Sequence, residues 1–195
     1  MVKIRHTGAD RGPELYETPP EATYALIEHE RLPQRLWEPA AGRGAIVRVL
    51  RAAGHSVLST DLHNHPGAEP WDVDQTGLNF LKPMKNLPEI DAIVTNPPFS
   101  KAQEFVDRSL QYAPMCCMLL RLVFLESERR HQWFKQVGLQ RVHIFSQRLP
   151  MMHRDGWTGP RSTSTTAFAW FIFNRDCKRL PTINWIRWRP IAESV

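Results

Sequence analysis

Apolar residues are arranged along this chain in two alternating patterns. Short runs rich in apolar residues predict strands, and they lie at 35–38, 56–60, 91–95, 115–124, 141–145 and 166–173. Apolar residues at helical spacing predict helices in stretches that start near 20 and cover 45–53, 101–112 and 127–137. Strands alternating with helices predict an α/β fold with a doubly wound, mostly parallel sheet. No helical stretch separates the last two runs, so we expect an antiparallel strand near the C-terminus, with a further strand or tail at 185–189.

Chain length and cysteine usage limit the class of protein. The 195 residues fit a single globular domain at 16–195, preceded by a flexible arm at 1–15. No stretch is long and apolar enough to span a bilayer. Cys116, Cys117 and Cys177 have neither a disulfide framework nor a zinc-ligand spacing, and the first two should face opposite sides of a buried strand. We therefore expect a reducing, cytoplasmic location.

The charge balance favours a polyanionic partner. The formal net charge is +5 at pH 7, and the pI is about 9.4. A basic balance favours nucleic acid as the partner, although charge by itself does not separate nucleic-acid binders from other basic proteins. No membrane partner is expected.

A glycine turn follows the first predicted strand and precedes a helix. The segment 37–44 reads WEPAAGRG, and its two glycines, Gly42 and Gly44, let the backbone approach a ligand at a helix start. The dinucleotide fingerprint needs a third glycine where this chain has Val47. Asp61 ends the next strand, where a carboxylate can grip ribose hydroxyls. The pattern therefore indicates a nucleoside ligand without a pyrophosphate.

Three motifs together resemble one enzyme family. The segment 38–44 (EPAAGRG) resembles the cofactor loop of class I S-adenosylmethionine-dependent methyltransferases. Asn96-Pro97-Pro98-Phe99 resembles the catalytic motif of their amino-methylating branch, above all the N6-adenine DNA methyltransferases. The segment 16–20 (YETPP) resembles a third motif of that branch, and the order of the three is the family's gamma arrangement, in a small phage- or prophage-like form. The resemblance implies a seven-stranded Rossmann-like sheet and methyl transfer to the exocyclic N6 amine of adenine in DNA.

The resemblance also implies the catalytic roles. The Asn96 side-chain oxygen and the Pro97 carbonyl would accept the two hydrogens of the target amine, which directs the nitrogen lone pair toward the methyl group. The prolines stiffen the turn, and Phe99 would stack on a flipped base. No metal is required. Without the upstream motifs, the same four residues would be interpreted as an ordinary turn after a strand.

S-adenosyl-L-methionine is the implied cofactor. Asp61 would bind its ribose and Glu38 would lie near its methionine end, although both could be plain turn carboxylates. Thr18 would touch the cofactor carboxylate or, as the safer interpretation, cap the following helix. Asn79 takes the position of an acidic residue that contacts the adenine in the family, and Phe80 is an adenine neighbour or core. The predicted cofactor-binding set is Tyr16, Thr18, Pro19, Glu38, Pro39, Ala40, Gly42, Gly44, Asp61, Asn79, Phe80 and Asn96.

The segment 147–165 has an unusual composition of cations, hydroxyl side chains, glycines and a tryptophan. Long loops inside compact domains tend to be functional, and such side chains suit phosphate contacts and base stacking. The alternative without a function is a solvated hairpin loop. The predicted substrate-binding residues are Phe99, Arg148, Arg154, Trp157 and Arg161. We interpret Lys101, Arg129 and Arg130 as exposed helix charges.

Different substrates or roles are compatible with the same fold. Enzymes with related motifs methylate an RNA base amine or a protein glutamine amide. A glutamine-directed enzyme, however, should carry a recognition domain before the core. A catalytically inactive nucleic-acid-binding subunit is a third interpretation, and the missing third glycine disfavours a nicotinamide oxidoreductase. No separate target-recognition domain is visible. The loop at 147–165, a specificity partner and a homodimer are therefore open as sources of target choice.

Overall fold

A seven-stranded mixed sheet forms the centre of the protein in the computed structural model, which describes residues 17–151 and 166–188. The strands are β1 Arg35–Glu38, β2 Ser56–Ser59, β3 Ala92–Thr95, β4 Met115–Arg121, β5 Leu139–Phe145, β6 Phe168–Asn174 and β7 Thr182–Ile186. Their spatial order is β2-β1-β3-β4-β6-β5-β7. Because β2, β1, β3 and β4 are mutually parallel, their carboxyl ends lie at one edge of the sheet.

β6 runs antiparallel to both of its neighbours, β4 and β5. The outermost strand, β7, is parallel to β5. These pairings confirm the predicted α/β class, the mostly parallel sheet and the antiparallel strand near the C-terminus. The strand or tail predicted at 185–189 is a strand that starts earlier than expected, at Thr182.

In the described part of the chain, α-helices cover both faces of the sheet. They are α1 Pro20–His29, α2 Ala45–Ala52, α3 Ala102–Tyr112 and α4 His131–Phe134. Leu26 of α1 and Leu50 of α2 pack on one face together with Cys117. Val106 of α3 packs on the other face with Cys116. The two adjacent cysteines therefore face opposite sides of β4, as the sequence predicted.

Two elements around Phe124 differ from the sequence prediction. The strand expected at 115–124 ends at Arg121, and a 3-10 turn follows at Leu122–Leu125. The helix expected at 127–137 is a 3-10 turn leading into the four residues of α4. Trp133 and Phe134 both pack edge-on against Phe124, at ring distances of 5.9 and 5.7 Å. One helical turn is enough to make these two contacts, so a longer helix is not needed to bury the ring.

A buried charge cluster fixes the end of α1 to the outer strands. Glu30 follows α1 and is 6% exposed. Its carboxylate accepts hydrogen bonds from Nε and Nη2 of Arg141 on β5, the latter at 2.8 Å. His143 Nε2 lies 2.6 Å from the same carboxylate, and Asn184 Nδ2 approaches His143 Nδ1 at 3.4 Å. An imidazole that accepts at Nδ1 carries its proton on Nε2, so it can donate to Glu30.

Some predicted segments cannot be compared with the structure. The arm at 1–15 and most of the loop at 147–165 lie outside the described residues. The division into an arm and a single domain therefore stays a prediction. No helix in the described part of the chain combines the length and the apolar character needed to cross a membrane.

Candidate functional site

A cavity of about 410 Å³ opens where the carboxyl ends of β1, β2 and β3 meet. Crevices at this edge of an open parallel sheet are the usual ligand sites of α/β folds. Four segments form its walls: 39–43, 61–65, 78–81 and 96–101. The predicted site residues that line the cavity are Thr18, Pro39, Ala40, Gly42, Asp61, Asn79, Phe80, Asn96, Pro97 and Phe99.

Two glycines lie in the turn after β1, and glycine is found at each position for a different structural reason. Gly42 has φ 57° and Gly44 has φ 79°, both in the left-handed region that favours glycine. Gly44 is the N-cap of α2, and a Cβ there would lie 2.4 Å from Asp72 Cβ. Gly42 lines the cavity, whereas the close approach at Gly44 is to Asp72, in the segment that follows β2. The ligand contacts predicted for both glycines stay predictions.

Glu38 is fully buried at the end of β1. Its Oε1 accepts a hydrogen bond from the Ala40 N–H at 3.2 Å, which holds the start of the turn. Burial raises the pKa of Glu38 to about 8; the Thr95 hydroxyl and the Ala40 N–H oppose the rise, and Asp61 adds to it. The side chain is therefore mostly protonated at neutral pH. Its contacts are those of a buried residue that shapes the turn.

Asp61 connects two walls of the cavity. Its Oδ2 accepts the Gly42 N–H at 2.8 Å, and its Oδ1 accepts the His63 N–H at 2.7 Å. His65 Nε2 lies 3.3 Å from the same Oδ1. Asp61 is only 5% exposed, yet it lines the cavity. The carboxylate thus fixes the glycine turn and stands at the position predicted for a ribose contact.

Asn79 and Phe80 form another wall of the cavity. Asn79 Oδ1 accepts the Leu81 N–H at 3.0 Å in a local turn. Phe80 is 2% exposed and packs against Trp37 and Phe105, at ring distances of 5.0 and 4.9 Å. Phe80 therefore belongs both to the core and to the cavity wall. Its contact with an adenine stays a prediction.

Thr18 fixes the side chain of Asn96. Asn96 Nδ2 donates to Thr18 Oγ1 at 3.1 Å, across 78 positions of sequence. The prediction that Thr18 caps α1 is wrong: Pro19 is the N-cap, and no side chain caps the helix. Because the amide nitrogen points to Thr18, the oxygen occupies the other branch of the planar amide group. Both residues line the cavity.

Phe99 lines the cavity and also contacts two side chains that are not among its described lining residues. The Arg121 guanidinium carbon is 4.4 Å from the centroid of the Phe99 ring and lies over its face. Phe168, the first residue of β6, approaches the same ring at 5.7 Å with an interplanar angle of 48°. The sequence did not single out Arg121 or Phe168, because both lie within apolar runs that predict strands.

Two further predicted residues do not line the cavity, and four others cannot be placed. Pro19 borders a smaller adjoining pocket with Thr18 and Arg48. Arg148 is exposed and is not part of the cavity lining. Tyr16, Arg154, Trp157 and Arg161 lie outside the described residues.

The structure also adds lining residues that the sequence pattern did not indicate. His63 and His65 follow Asp61 directly, and their place after a strand end was the available signal. Lys101, interpreted as an exposed helix charge, does pair with Glu104 at 3.2 Å but also lines the cavity. Arg43 was part of the quoted turn and lines the cavity as well.

Comparison with solved structures finds the same fold in several methyltransferases. A Pyrococcus horikoshii protein, provisionally assigned as an RNA methyltransferase, matches 86% of this chain and 91% of its own length, at 10% identity and a TM-score of 0.58. The M protein of the type I restriction enzyme EcoKI matches 87% of this chain at 13% identity and a TM-score of 0.58, and this chain covers 48% of that protein.

A third similar structure carries a ligand. It is a Burkholderia thailandensis 1,6-didemethyltoxoflavin-N1-methyltransferase with bound S-adenosylhomocysteine, at 14% identity and a TM-score of 0.52, covering 80% of this chain and 76% of that one. No protein-family model matches the chain, and no curated protein matches it. These comparisons show that the chain has the α/β fold of class I methyltransferases.

Proposed function

We propose that this chain is an S-adenosylmethionine-dependent methyltransferase that transfers a methyl group to the exocyclic N6 amine of adenine in DNA. The observation that carries the proposal is one cavity reaching from the glycine turn at 39–43 to Asn96, Pro97 and Phe99. A cofactor wall and an amine-recognition motif thereby share one space. The gamma order of the motifs, a phage-like origin and a cytoplasmic location are finer parts of the same proposal.

The cavity suits the proposed cofactor. About 410 Å³ lies within the range of small-molecule sites. Asp61 at one wall and Asn79 at another offer polar groups for a ribose and an adenine, and Phe80 offers an apolar surface between Trp37 and Phe105. Bound there, S-adenosylmethionine would supply an electrophilic methyl group.

The chain's own residues would do the remaining work by positioning. The Asn96 oxygen and the Pro97 carbonyl would accept the two amine hydrogens, and the Thr18 hydroxyl keeps the Asn96 amide in the required orientation. Pro97 and Pro98 restrict the turn that carries these acceptors. Preorganised acceptors of this kind need little rearrangement when the amine begins to bond, which is the source of their catalytic effect.

The choice of DNA as substrate rests on charge and on similarity. The net charge of +5 favours a polyanion, and the EcoKI M protein belongs to a restriction enzyme. The Pyrococcus protein favours RNA as the second candidate. Methylation of a protein glutamine amide and an inactive nucleic-acid-binding role are less favoured, since neither has an observation of this kind behind it. A specificity partner or a homodimer stays a prediction.

One experiment separates these candidates. The purified chain is incubated with S-adenosylmethionine carrying a labelled methyl group and with DNA, RNA or a glutamine-containing peptide. The nucleic acids are digested to nucleosides and analysed by mass spectrometry. We expect N6-methyldeoxyadenosine from DNA and no label in RNA or peptide. Label in RNA or peptide would replace the substrate, and the absence of both transfer and S-adenosylhomocysteine binding would refute the enzyme assignment.

Asp61→Ala should weaken S-adenosylhomocysteine binding by about tenfold or more, because the variant loses a ribose acceptor and the bond that fixes Gly42. Isothermal titration calorimetry measures the affinity, and thermal unfolding measures stability in parallel. Asp176→Ala, which alters an exposed turn after β6, is the matched control. Unchanged affinity in Asp61→Ala would exclude the ribose role.

Thr18→Val should lower kcat by about three- to tenfold, because the Asn96 amide loses the acceptor that orients it. Thr18→Ser keeps the hydroxyl and should restore most of the loss. A purely structural role would lower stability without this recovery of kcat. Steady-state kinetics on the substrate that accepts the methyl group, with kcat and KM determined separately, distinguish a positioning role of Thr18 from a purely structural one.

A further inference from the structure

Arg121 occupies a defined place beside the proposed catalytic turn. It ends β4, the strand adjacent to β3, and β3 leads directly into Asn96. In the ladder it lies opposite Phe168 of β6. Its guanidinium stacks over Phe99, while Phe168 contacts the same ring from a tilted angle. Three neighbouring strands thus bring a cation and two aromatic rings together at one edge of the sheet.

The guanidinium covers one face of Phe99, the ring that the proposed function assigns to the target base. A guanidinium is planar and stacks on aromatic faces as a flat ring does. At 4.4 Å from the ring centroid, Arg121 stands where a planar base would stack on that face of Phe99. A base that binds this face must displace the guanidinium. The displaced side chain then needs a new partner within reach of the strand end.

The present surroundings of Arg121 leave one of its hydrogen-bond donors, Nε, without an acceptor in the described part of the chain. Its Nε is buried and has no hydrogen-bond partner among residues 17–151 and 166–188. A buried donor without an acceptor is unfavourable, so an incoming acceptor would be bound readily. The guanidinium fork matches the geometry of phosphate oxygens, which accept two parallel hydrogen bonds.

We propose that Arg121 is a substrate-binding residue that yields the face of Phe99 to the target base and binds a backbone phosphate of the same nucleic acid. The inference rests on the proposed function and extends it, because it makes the phosphodiester of DNA or RNA part of what the site recognises. A protein glutamine amide offers no such group. The two contacts are linked: the base removes the guanidinium from the ring, and the phosphate holds it in its new place.

The two halves of the proposal predict opposite effects for one substitution. Arg121→Ala should weaken binding of a labelled oligonucleotide by about tenfold. It should also reduce the salt slope, which is the slope of log affinity against log salt concentration, by about one. The same variant should bind free adenosine as well as the wild type or better, since adenosine lacks a phosphate and no longer competes with the guanidinium. Arg121→Lys should keep the salt slope but recover only part of the affinity, because lysine lacks the planar fork.

The experiment uses the full chain with saturating S-adenosylhomocysteine. Fluorescence anisotropy measures the affinity for labelled single-stranded DNA, duplex DNA and RNA oligonucleotides at several salt concentrations. The affinity for adenosine is measured by its competition with the labelled oligonucleotide. The oligonucleotide whose affinity falls most in Arg121→Ala identifies the nucleic acid that supplies the phosphate. Arg175→Ala is the matched control, since it removes one positive charge at the opposite edge of the sheet, where β6 ends. It should change neither affinity nor slope.

The outcomes separate this inference from the proposed function. Equal oligonucleotide affinity and slope in Arg121→Ala and the wild type would overturn the phosphate contact while the methyltransferase proposal stands. A parallel loss of oligonucleotide, adenosine and S-adenosylhomocysteine binding would show a structural role instead. If the wild type binds S-adenosylhomocysteine but no oligonucleotide, the inference fails and the cofactor assignment survives. If it binds neither, the proposed function itself fails.

Discussion

Replacing Asn96 with alanine should lower kcat by at least about 10²- to 10³-fold, the range seen when a preorganised hydrogen-bonding group is removed from a reacting centre. The Asn96 oxygen is the proposed acceptor for one amine hydrogen, and its orientation is set by the bond from Nδ2 to Thr18. S-adenosylhomocysteine affinity should change by less than about threefold, since only one small side chain is lost from the wall of a large cavity.

Single-turnover methyl transfer and calorimetry test this expectation together. Gln132→Ala, which removes an exposed amide from α4, is the control for a general loss of a polar side chain. Asn96→Asp adds a second test, because a carboxylate keeps an acceptor but loses the donor to Thr18. If Asn96→Ala retains more than about a tenth of the wild-type kcat, another group performs the chemistry.

Replacing Glu30 with alanine should reduce the free energy of unfolding by about 3 kcal/mol. The substitution leaves Arg141 and His143 without the carboxylate that both now contact, and removing one member of a buried ion pair costs about 3–5 kcal/mol. The lower end of that range applies because the Arg141 side chain is 31% exposed. Urea unfolding measures the difference, and Glu28→Ala, on the exposed side of α1, should change stability by less than about 0.5 kcal/mol.

The pH dependence of stability tests the same cluster in a second way. Burial would raise the pKa of Glu30, but the hydrogen bonds from His143 and Arg141 outweigh it and hold the pKa below its usual value. A carboxyl with a lowered folded-state pKa stabilises the fold above its unfolded pKa and loses that contribution as the pH falls through the folded pKa. The stability advantage of the wild type over Glu30→Gln should therefore be constant above about pH 5 and shrink below about pH 4. A constant difference down to pH 3 would contradict this account.

The order of strands and helices follows from local pattern, and most of it could be predicted. An apolar run identifies β3, and the prolines that follow Thr95 mark its end. Both signals lie in neighbouring residues, so the sequence pattern finds them. The end of β4 could not be found in this way. Apart from Arg121 itself, the run from Met115 to Phe124 is apolar, while the backbone turns after Arg121 to place Phe124 among Trp133 and Phe134. Apolar residues continue past the end of the strand although Val123 is 58% exposed and Leu125 is 39% exposed, so the apolar run does not report where the strand ends.

The site was predictable where its chemistry lies in contiguous motifs. The turn at 39–43 and Asn96–Phe99 line the same cavity, as the resemblance implied. Thr18 was assigned to the wrong partner because the capping rule considers only the next few residues, whereas its bond reaches Asn96, 78 positions away. The Glu30–His143 contact spans 113 positions and gave no local signal. Partners brought together by the sheet order become visible only once that order is known.

The hairpin formed by β5 and β6 gives the protein a natural place for evolutionary change. β5 ends at Phe145 and β6 begins at Phe168, both buried and both at the edge of the sheet that carries Asn96. No described residue between these two positions lines the cavity, although Leu149 and Met151 belong to the core. If the proposed function holds, substitutions or insertions beyond Met151 could change which substrate is selected while the core contacts of Leu149 and Met151 and the residues around Asn96 are kept.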